Sequence, residues 1–374
     1  MKNKIAIITS GHPAEDDRIY WRFARTLSAN NFPVSIITSL QKKNYKKENI
    51  LLTGFDGSSI SKTEKTKIFY NYLVVLKPDI IICCEPLTIL SAHKYKKLYN
   101  KNCMIISDIT EWYPNYNTLK LYFGLNRAIT YCIHLLFNIY TSNLADHLII
   151  GEEGKAKRYK IISPLKKKTI ISYYPPGDIF SYRPLAFNDN KFSICYSGKL
   201  NDERGFFRLI EVVKKLAAKI PEKFITLKII GSDENGEASA KLNEISSIQN
   251  VSVIFSNQLE YYSYAAVLSE SHLCIDLREK SKLFNNSLPI KIFDIMAAGR
   301  PVIFSNLKSF YQLPEVNEFG FLVDPDDIEK TVELILRYVN DSQLLIKHSR
   351  TARKLFEQKY NWEKHAEKLL QLLK

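Results

Sequence analysis

Short apolar runs rich in β-branched residues alternate along the chain with longer stretches whose apolar positions recur at helical spacing. The first repeat consists of KIAIIT (Lys4–Thr9), a predicted helix over Ile19–Asn30 and VSIIT (Val34–Thr38). Further runs are apolar without alternation, as in strands that helices cover on both faces: DIIICC (Asp79–Cys84), MIISD (Met104–Asp108) and HLII (His147–Ile150). The pattern predicts an α/β region with a parallel sheet.

The same alternation resumes after TIISYYPPGDIFSYRP (Thr169–Pro184), where proline and glycine interrupt regular structure. It predicts strands over 192–198, 225–230, 251–255 and 272–276, and helices over 206–220, 237–248 and 262–269. A chain of 374 residues is also too long for one ordinary core. We therefore predict two doubly wound domains that face each other across a cleft. They comprise residues 1–174 and 191–359, with a linker over 175–190 and a closing helix at about 360–374 that packs back on the first domain.

Charge distinguishes the two halves of the chain. Residues 1–174 contain 26 Lys and Arg against 13 Asp and Glu, whereas residues 175–374 contain 27 against 26. An excess of this kind predicts a domain that meets lipid head groups, nucleic acid or an acidic substrate, and a solvated basic face is the alternative. Lysine-rich runs at Lys42–Lys47 and Lys166–Lys168 contribute to the excess.

Cysteine usage and the first residues favour the cytoplasm. The six cysteines lie mostly in apolar runs and show no Cys-x-x-Cys pair, which predicts buried thiols in a reducing compartment. The first residues, MKNKIAIITSGH, contain too short an apolar core for a signal peptide. We expect no export.

Two loops that follow predicted strands of the second domain contain candidate chemistry, because ligands of doubly wound sheets bind beyond the carboxyl ends of the strands. In SGKLNDERG (Ser197–Gly205), Lys199 and Arg204 precede a helix and form a candidate diphosphate site. Their pairing with Asp202 and Glu203 in a solvated loop is the alternative.

The second loop, NNSLPIKIFD (Asn285–Asp294), predicts a helix with Pro289 in its first turn and Ser287 as the capping side chain. Its backbone N–H groups would then point at an anion, and the Asp294 carboxylate would accept from two ribose hydroxyls. A surface pair of Lys291 and Asp294 at helical spacing is the alternative.

Five segments in this order resemble the retaining family 4 glycosyltransferases of GT-B fold, and the resemblance spans nearly the whole chain. They are SGHPAEDDRIYWRFARTLSANNFPVSIITS (Ser10–Ser39), SGKLNDERG, LPIKIFDIMAAGRPVI (Leu288–Ile303), FGFLVDPDDIEKTVELI (Phe319–Ile335) and YNWEKHAEKLL (Tyr360–Leu370). The resemblance implies two Rossmann-like domains, the first for the acceptor and the second for a nucleotide-sugar donor.

The resemblance assigns donor contacts to the second domain. Lys199 and Arg204 match the basic pair that holds the diphosphate and stabilises the leaving phosphate, and Asp294 matches the acid that binds the ribose. Asn286 stands where the family has its first acid, and Asp294 replaces a glutamate, so the sequence departs from the pattern at both positions. The remaining expected donor contacts are Gly198, Gln258 near the base, and the backbone of Ser287, Leu288, Pro289 and Ile290.

The resemblance also implies catalytic and acceptor residues in the first domain. DITEWYP (Asp108–Pro114) resembles the loop that faces the donor sugar, which makes Glu111 the best catalytic candidate with Asp108 behind it. A turn cap or a pair with an arginine is the alternative for Glu111. His12, Asp17 and Arg18 are expected on the acceptor side or at the phosphates, and His12 is alternatively a plain loop residue.

The expected reaction uses neither a metal nor a cofactor. We expect no metal clamp at the one Asp-x-Asp spacing, Asp324–Asp326, and the sequence contains no Gly-x-x-x-x-Gly-Lys-Ser/Thr loop and no Gly-x-Gly-x-x-Gly turn after the first strand. Basic side chains would therefore neutralise the leaving diphosphate of a UDP- or GDP-linked donor. The family resemblance implies retention of the anomeric configuration by front-face attack.

The segment Leu119–Asn143 predicts an amphipathic helix. Arg127, Thr130, His134, Asn138 and Thr141 form one polar stripe, which excludes a spanning helix. Packing on its own domain is the expected role, and contact with a membrane or partner is the alternative.

Together with the basic first half, that alternative suggests a peripheral enzyme at the inner membrane face. It would glycosylate a lipid-linked or polysaccharide-precursor acceptor. A catalytically inactive scaffold is the second hypothesis, because of Asn286. Nucleic-acid binding is not expected, since no recognisable module is present.

Overall fold

The chain folds into two compact units. The computed structural model describes residues 2–111, 114, 119, 121–185, 190–234 and 236–373. The first unit comprises Met1–Tyr173 and Glu363–Lys374, and the second comprises Tyr174–Trp362. The predicted linker falls in the second unit, and its residues 186–189 lie outside the described part.

The first unit contains an eight-stranded sheet in the order β3-β4-β2-β1-β5-β6-β7-β8. Its strands are β1 (Ile5–Thr9), β2 (Val34–Thr38), β3 (Asn44–Lys47), β4 (Ile50–Gly54), β5 (Ile80–Cys83), β6 (Met104–Ile109), β7 (His147–Ile150) and β8 (Lys167–Ile170). The helical elements are a π-helical segment (Ile19–Ala24), α1 (Arg25–Ala29), α2 (Lys62–Leu76), α3 (Pro86–Leu98), α4 (Gly124–Leu144) and α5 (Glu153–Ile162). The closing helix of the chain, Glu363–Leu372, belongs to this unit, and the backbone N–H of Ser172 donates to Nδ1 of His365 at 3.1 Å.

Three strands of this sheet were not predicted: β3 and β8, which lie in lysine-rich runs, and β4, which pairs with β3. The edge strand β3 pairs antiparallel with β4. The prediction of a wholly parallel sheet is therefore wrong at this edge. The opposite edge strand, β8, contains Lys167 and Lys168. Lysines are common on edge strands because they discourage pairing with other chains, and they hide such strands from a search for apolar runs.

The second unit contains a six-stranded sheet in the order β11-β10-β9-β12-β13-β14, with parallel pairing throughout. Its strands are β9 (Lys191–Ser197), β10 (Phe224–Ile230), β11 (Val251–Ser256), β12 (Leu273–Asp276), β13 (Val302–Ser305) and β14 (Gly320–Val323). Its helical elements are α6 (Phe206–Lys219), α7 (Ala238–Ser246), α8 (Tyr261–Ser269), α9 (Lys282–Asn286), α10 (Lys291–Ala297), a 3₁₀ turn (Lys308–Gln312), α11 (Val316–Phe319), α12 (Ile328–Asn340) and α13 (Ser342–Gln358). The short helix α9 was not predicted.

Each sheet has one point at which the chain reverses its direction of growth. In the second unit the chain builds outward from β9 through β10 to β11 and then returns to place β12 on the other side of β9. In the first unit the corresponding neighbours are β1 and β5. The loops that follow these strands diverge and leave a crevice, which is where doubly wound sheets bind ligands.

Candidate functional site

In the second unit, a close backbone approach at the β9/β12 crevice brings two arginines together. Gly205 has a φ of +75°, and a Cβ atom at this position would lie 2.0 Å from the carbonyl oxygen of Leu277. Glycine alone permits this contact. The guanidinium carbons of Arg204 and Arg278 lie 4.7 and 5.2 Å from the ring centroid of Phe284 on α9.

Three cations, Arg204, Arg278 and Lys291, gather here, and the charges of Asp276, Asp294 and Glu203 also act on them. Of the three cations, only Arg278 forms an ion pair with a carboxylate of the described chain. Arg278 forms a bidentate ion pair with Asp276, with Nε 2.8 Å from Oδ1 and Nη2 bonded to Oδ2. Burial lowers the pKa of Lys291 to about 8, and the charges of Arg278 and Arg204 add to this effect against that of Asp276. Burial and the charge of Arg278 also lower the pKa of Arg204. No carboxylate of the described chain is in ion-pair contact with Arg204 or Lys291, so the cluster is suited to an anion.

Lys199 lies at the other end of the same loop and is half-exposed. Its Nζ is 2.8 Å from Glu234, so the alternative pairing with Asp202 or Glu203 is not the one observed. The loop is fixed at both ends by the hydroxyl of Tyr196, which donates to the carbonyl oxygens of Lys199 at 2.7 Å and Arg204 at 3.3 Å.

Asp294 is buried in α10 and accepts a hydrogen bond of 2.7 Å from the hydroxyl of Tyr261. This excludes a surface pair of Lys291 and Asp294. The predicted cap is also wrong, because Ser287 is an extended residue after α9 and α10 begins after Ile290 without a side-chain cap. Ser287 caps the carboxyl end of α9 and lies three residues before Ile290, which is the N-cap of α10.

The remaining predicted donor residues lie on nearby loops of the second unit. Asn286 is exposed at the end of α9, and its Nδ2 donates to the carbonyl oxygen of Lys282 at 2.8 Å. Gln258 is exposed in the loop after β11, while Leu288 and Pro289 are buried beside α10. Gly198 follows β9, where its carbonyl oxygen would lie 1.7 Å from a Cβ atom on Gly231.

In the first unit, a cavity of about 290 Å³ lies at the crevice beyond β1, β5 and β6. Its lining includes three of the predicted residues, His12, Asp108 and Glu111. The lining also includes the polar side chains of Glu85, which follows β5, and of Asn138 and Ser142 on α4. Trp112 and Tyr113 of the predicted catalytic loop lie outside the described residues.

Glu85 organises the turn after β1, a role that sequence reasoning missed. Its carboxylate accepts from the Thr9 hydroxyl at 2.6 Å and from the backbone N–H groups of Ser10 at 2.7 Å and Gly11 at 3.0 Å. Burial raises the pKa of Glu85 in spite of these bonds.

His12 sits among carboxylates at the same turn. Nδ1 lies 3.3 Å from Asp16, and Nε2 lies 3.7 Å from Glu85. Burial lowers the pKa of His12, but the hydrogen bond and charge of Asp16 and the charges of Glu85 and Glu111 outweigh it and raise the value to about 9. The ring is therefore an imidazolium at neutral pH and a hydrogen-bond donor.

Arg18 and Asp108 are occupied with each other, which differs from their predicted roles. Nε and Nη2 of Arg18 each donate to Asp108 at 2.7 Å, and Nη2 also donates to the carbonyl oxygen of Ile171 at 3.0 Å. Arg18 is 2% exposed, which is too deep to contact an acceptor directly. Asp17 is paired with Arg22 at 3.0 Å. These side chains tie the end of β6 to the segment after β8.

Two further functional candidates, Arg278 and Glu85, were missed although a signal existed for both. Arg278 follows β12 by two residues, and Glu85 follows β5 by two. Each therefore occupies the position that the crevice rule selects, but neither belongs to a recognisable motif.

Two negative findings concern the described part of the chain only. It contains no group of three His, Cys, Asp or Glu side chains that could hold a metal ion. None of its helices is both long and apolar enough to cross a membrane.

The sequence matches a known family within the second unit and a curated protein over a longer part of the chain. A family model described as glycosyl transferases group 1 matches residues 180–355, which lie within the second unit. An uncharacterized glycosyltransferase of Haemophilus influenzae is 28% identical over 250 residues, which cover 62% of this chain and 67% of that protein.

Solved structures resemble the chain over nearly its full length. Sucrose-phosphate synthase from Thermosynechococcus elongatus has a TM-score of 0.73 at 18% identity, covering 99% of this chain and 98% of that one. Anabaena Alr3699/HepE, solved in complex with UDP and glucose, has a TM-score of 0.69 at 11% identity and covers 99% of both chains. At these identities the likenesses show the fold, which is the predicted GT-B arrangement of two α/β domains.

Proposed function

We propose that this chain, a glycosyltransferase with a group 1 domain in its second unit, binds a nucleotide sugar at the Arg204 cluster. It transfers the sugar to a lipid-linked or saccharide acceptor whose hydroxyl enters the cavity of the first unit. The observation that carries this proposal is the cluster of Arg204, Arg278 and Lys291, of which only Arg278 forms an ion pair with a carboxylate of the described chain.

The diphosphate of the donor is the anion that this cluster suits best. Charge-assisted hydrogen bonds from Arg204, Arg278 and Lys291 would relieve their mutual repulsion and fix the phosphates. The same cations would stabilise the charge that develops on the leaving phosphate. Lys199 would reach the phosphates after exchanging its exposed partner, Glu234.

Asp294 is proposed to bind the ribose. Its carboxylate is held by the Tyr261 hydroxyl, which leaves further lone pairs for two vicinal hydroxyls of the sugar. The base would lie near Gln258, and the backbone of Ser287–Ile290 would contact the phosphate and the transferred sugar. The presence of UDP in the Anabaena neighbour supports testing UDP-linked donors first.

The transfer is proposed to be metal-independent and retaining, with the leaving phosphate accepting the proton of the acceptor. The side chains of the acceptor cavity support this route. His12 is protonated at neutral pH, and Asp108 is engaged by Arg18, so neither is a ready general base. Glu111 lines the cavity and is exposed, and we propose that it orients the attacking hydroxyl.

Nucleotide binding is the first test. A thermal-shift series with UDP, GDP, ADP and CMP should raise the melting temperature with one nucleoside diphosphate, because a ligand that binds only the folded state stabilises it. Transfer by a nucleotide sugar, followed as release of that diphosphate, should persist in EDTA. Loss of transfer in EDTA would refute the metal-independent route.

Arg204→Ala is the second test. It should lower kcat by about tenfold or more, since leaving-group charge loses a fixed partner. Lys330→Ala, which removes an exposed lysine of the same unit paired with Glu333, is the control and should leave the rate unchanged. Equal rates in both variants would refute the role of the cluster. Nucleotide binding without transfer or hydrolysis of any donor would instead indicate a scaffold.

A further inference from the structure

Helix α4 (Gly124–Leu144) presents its polar side to the first unit and its apolar side to solvent. Of its residues, Asn138, Thr141 and Ser142 are buried. Leu125 and Leu136 are 76% and 65% exposed. The helix therefore packs on its own domain, as expected, but it does so through its polar side.

Two residues of the buried polar side form hydrogen bonds to other parts of the unit. Oδ1 of Asn138 accepts from the Tyr159 hydroxyl at 3.1 Å, and the hydroxyls of Ser142 and Ser163 are 2.7 Å apart. Asn138 and Ser142 also line the acceptor cavity. The polar face is thus buried because it forms a wall of that cavity.

The apolar side forms a continuous exposed stripe. Its members recur at intervals of three and four residues, which places them on one face of a helix: Leu125, Ile129, Ile133, Leu136 and Tyr140. The stripe is extended by Leu121 and Phe123, which are exposed just before the helix. A contiguous apolar surface of this kind marks an interaction site.

The segment that contains the stripe has no acidic residue, since no Asp or Glu occurs between Glu111 and Asp146 in the sequence. Lys62 of α2 lies near the polar side of α4, where its charge, after burial, lowers the pKa of His134.

At the carboxyl end of α4 a group of lysines lies beside exposed apolar residues. Nδ2 of Asn143 donates to the carbonyl oxygen of Ile162 at 3.0 Å, which joins the helix to the segment 160–168. That segment contains Lys160 and Lys166–Lys168 next to the exposed Ile161 and Leu165. Apolar side chains among lysines are the composition of surfaces that enter the interface of an anionic bilayer.

We propose that the exposed face of α4, together with Ile161 and Leu165, docks on an anionic lipid bilayer with the helix lying in the plane of the interface. The proposal rests on the proposed function and names the source of its acceptor. Because the opposite face of the same helix lines the acceptor cavity, docking would bring the head group of a membrane-borne acceptor to that cavity. A second copy of the chain is disfavoured as the occupant, since two first units, each with 29 Lys and Arg against 15 Asp and Glu, would repel.

Cys132 allows a direct test on the full chain. It is exposed on the apolar side of α4, whereas the other five cysteines are buried, so an environment-sensitive thiol dye will label it selectively. We expect a blue shift and co-flotation with vesicles of phosphatidylcholine and phosphatidylglycerol. We expect neither with phosphatidylcholine alone. Raising NaCl from about 0.1 to about 1 M shortens the Debye length from about 10 to about 3 Å and should weaken binding.

The double variant Leu125→Ser/Leu136→Ser should lower vesicle partitioning of the unlabelled protein by about tenfold or more, because exposed leucines contribute directly to insertion. Val75→Ser is the matched control: Val75 is 77% exposed on α2 of the same unit and should have no effect. Absence of flotation with anionic vesicles would overturn the inference. A concentration-dependent dimer, measured by light scattering, would also overturn the inference if the double variant abolished the dimer and left vesicle binding unchanged. Nucleotide thermal shifts should be the same in all variants, which separates this outcome from failure of the proposed function.

Discussion

Lys291→Met tests whether the donor cluster is electrostatically unfavourable until an anion binds. The substitution keeps most of the volume of the side chain and removes its charge. In the ligand-free protein the charge of Lys291 is opposed by burial and by Arg278 and Arg204, which together lower its pKa from the ordinary 10.5 to about 8. The variant should therefore be more stable than the parent at neutral pH and a poorer binder of nucleotides.

The magnitude follows from the size of the pKa change. At roughly 1.4 kcal/mol per pKa unit, the charged lysine costs the folded second unit about 3 kcal/mol below pH 8. Because the pKa is lower in the folded state, the unfolded chain binds more protons between about pH 8 and 10.5. The free energy of unfolding of the parent should therefore rise with pH across that window. Lys291→Met should lack this rise, and its advantage should disappear near pH 10.5.

Chemical denaturation from pH 7 to 10.5 measures the effect on stability. It is compared between the two proteins so that the contributions of other titrating groups cancel. Calorimetric titration with the nucleoside diphosphate at pH 9 measures the effect on nucleotide binding. An anion that restores the charge of Lys291 should draw up to about one proton from the buffer, and the variant should draw none. Loss of one charge-assisted hydrogen bond should weaken binding by about tenfold to about 100-fold. Equal proton uptake in both proteins, or a less stable variant at pH 7, would refute the reasoning.

Two further predictions concern single residues of the two crevices. His12→Asn should lower the free energy of unfolding by up to about 3 kcal/mol at pH 6. Since the pKa of His12 is raised from 6.5 to about 9, its contribution is complete below pH 6.5 and is lost as pH rises through 9. Denaturation of both proteins at pH 6 and pH 10 checks this, and a constant difference would contradict it. Gly205→Ala should destabilise the second unit by more than about 2 kcal/mol and weaken nucleotide binding, because its Cβ would meet Leu277. Gly236→Ala is the control with the same sign of φ and open space around it, and its cost should stay near about 1 kcal/mol in thermal denaturation; equal losses would show that the contact with Leu277 is unimportant.

The isoleucine-rich central strands of the first sheet could be predicted from the sequence, whereas β3, β4 and β8 could not. A central strand such as β5 is a run of isoleucines, and burial on both faces leaves no other composition. At the edges of this sheet, β3 and β8 each pair with only one neighbouring strand and contain lysines that face solvent. Their pairing depends on the sheet beside them, which a local pattern does not contain.

The two faces of α4 were visible in the sequence, but their directions were not. Periodicity shows that polar residues share one side of a helix and apolar residues the other. Which side turns inward depends on what the helix meets, and here Asn138 and Ser142 meet a cavity and the hydroxyls of Tyr159 and Ser163. The usual assumption that the apolar side turns inward therefore fails at a candidate functional surface.

The donor loops illustrate the same limit at the level of single side chains. The sequence singled out Lys199 and Arg204 as a pair, yet Arg204 lies with Arg278 and Lys291, while Lys199 is held by Glu234. Arg278 is 74 residues further along the chain, and only the return of β12 to the side of β9 brings it near. Spacing within one loop cannot report such a partner.

The two crevices share a topology and differ in the charged side chains that they gather, which supports the proposed division of donor and acceptor binding between the units. The crevice of the second unit gathers Arg204, Arg278 and Lys291, as an anionic diphosphate requires. The crevice of the first unit gathers Glu85 and Glu111 around one imidazolium, which suits the hydroxyls of an uncharged sugar better than a phosphate. Since the fold supplies the same crevice twice, the side chains just after the strands decide which substrate each unit receives.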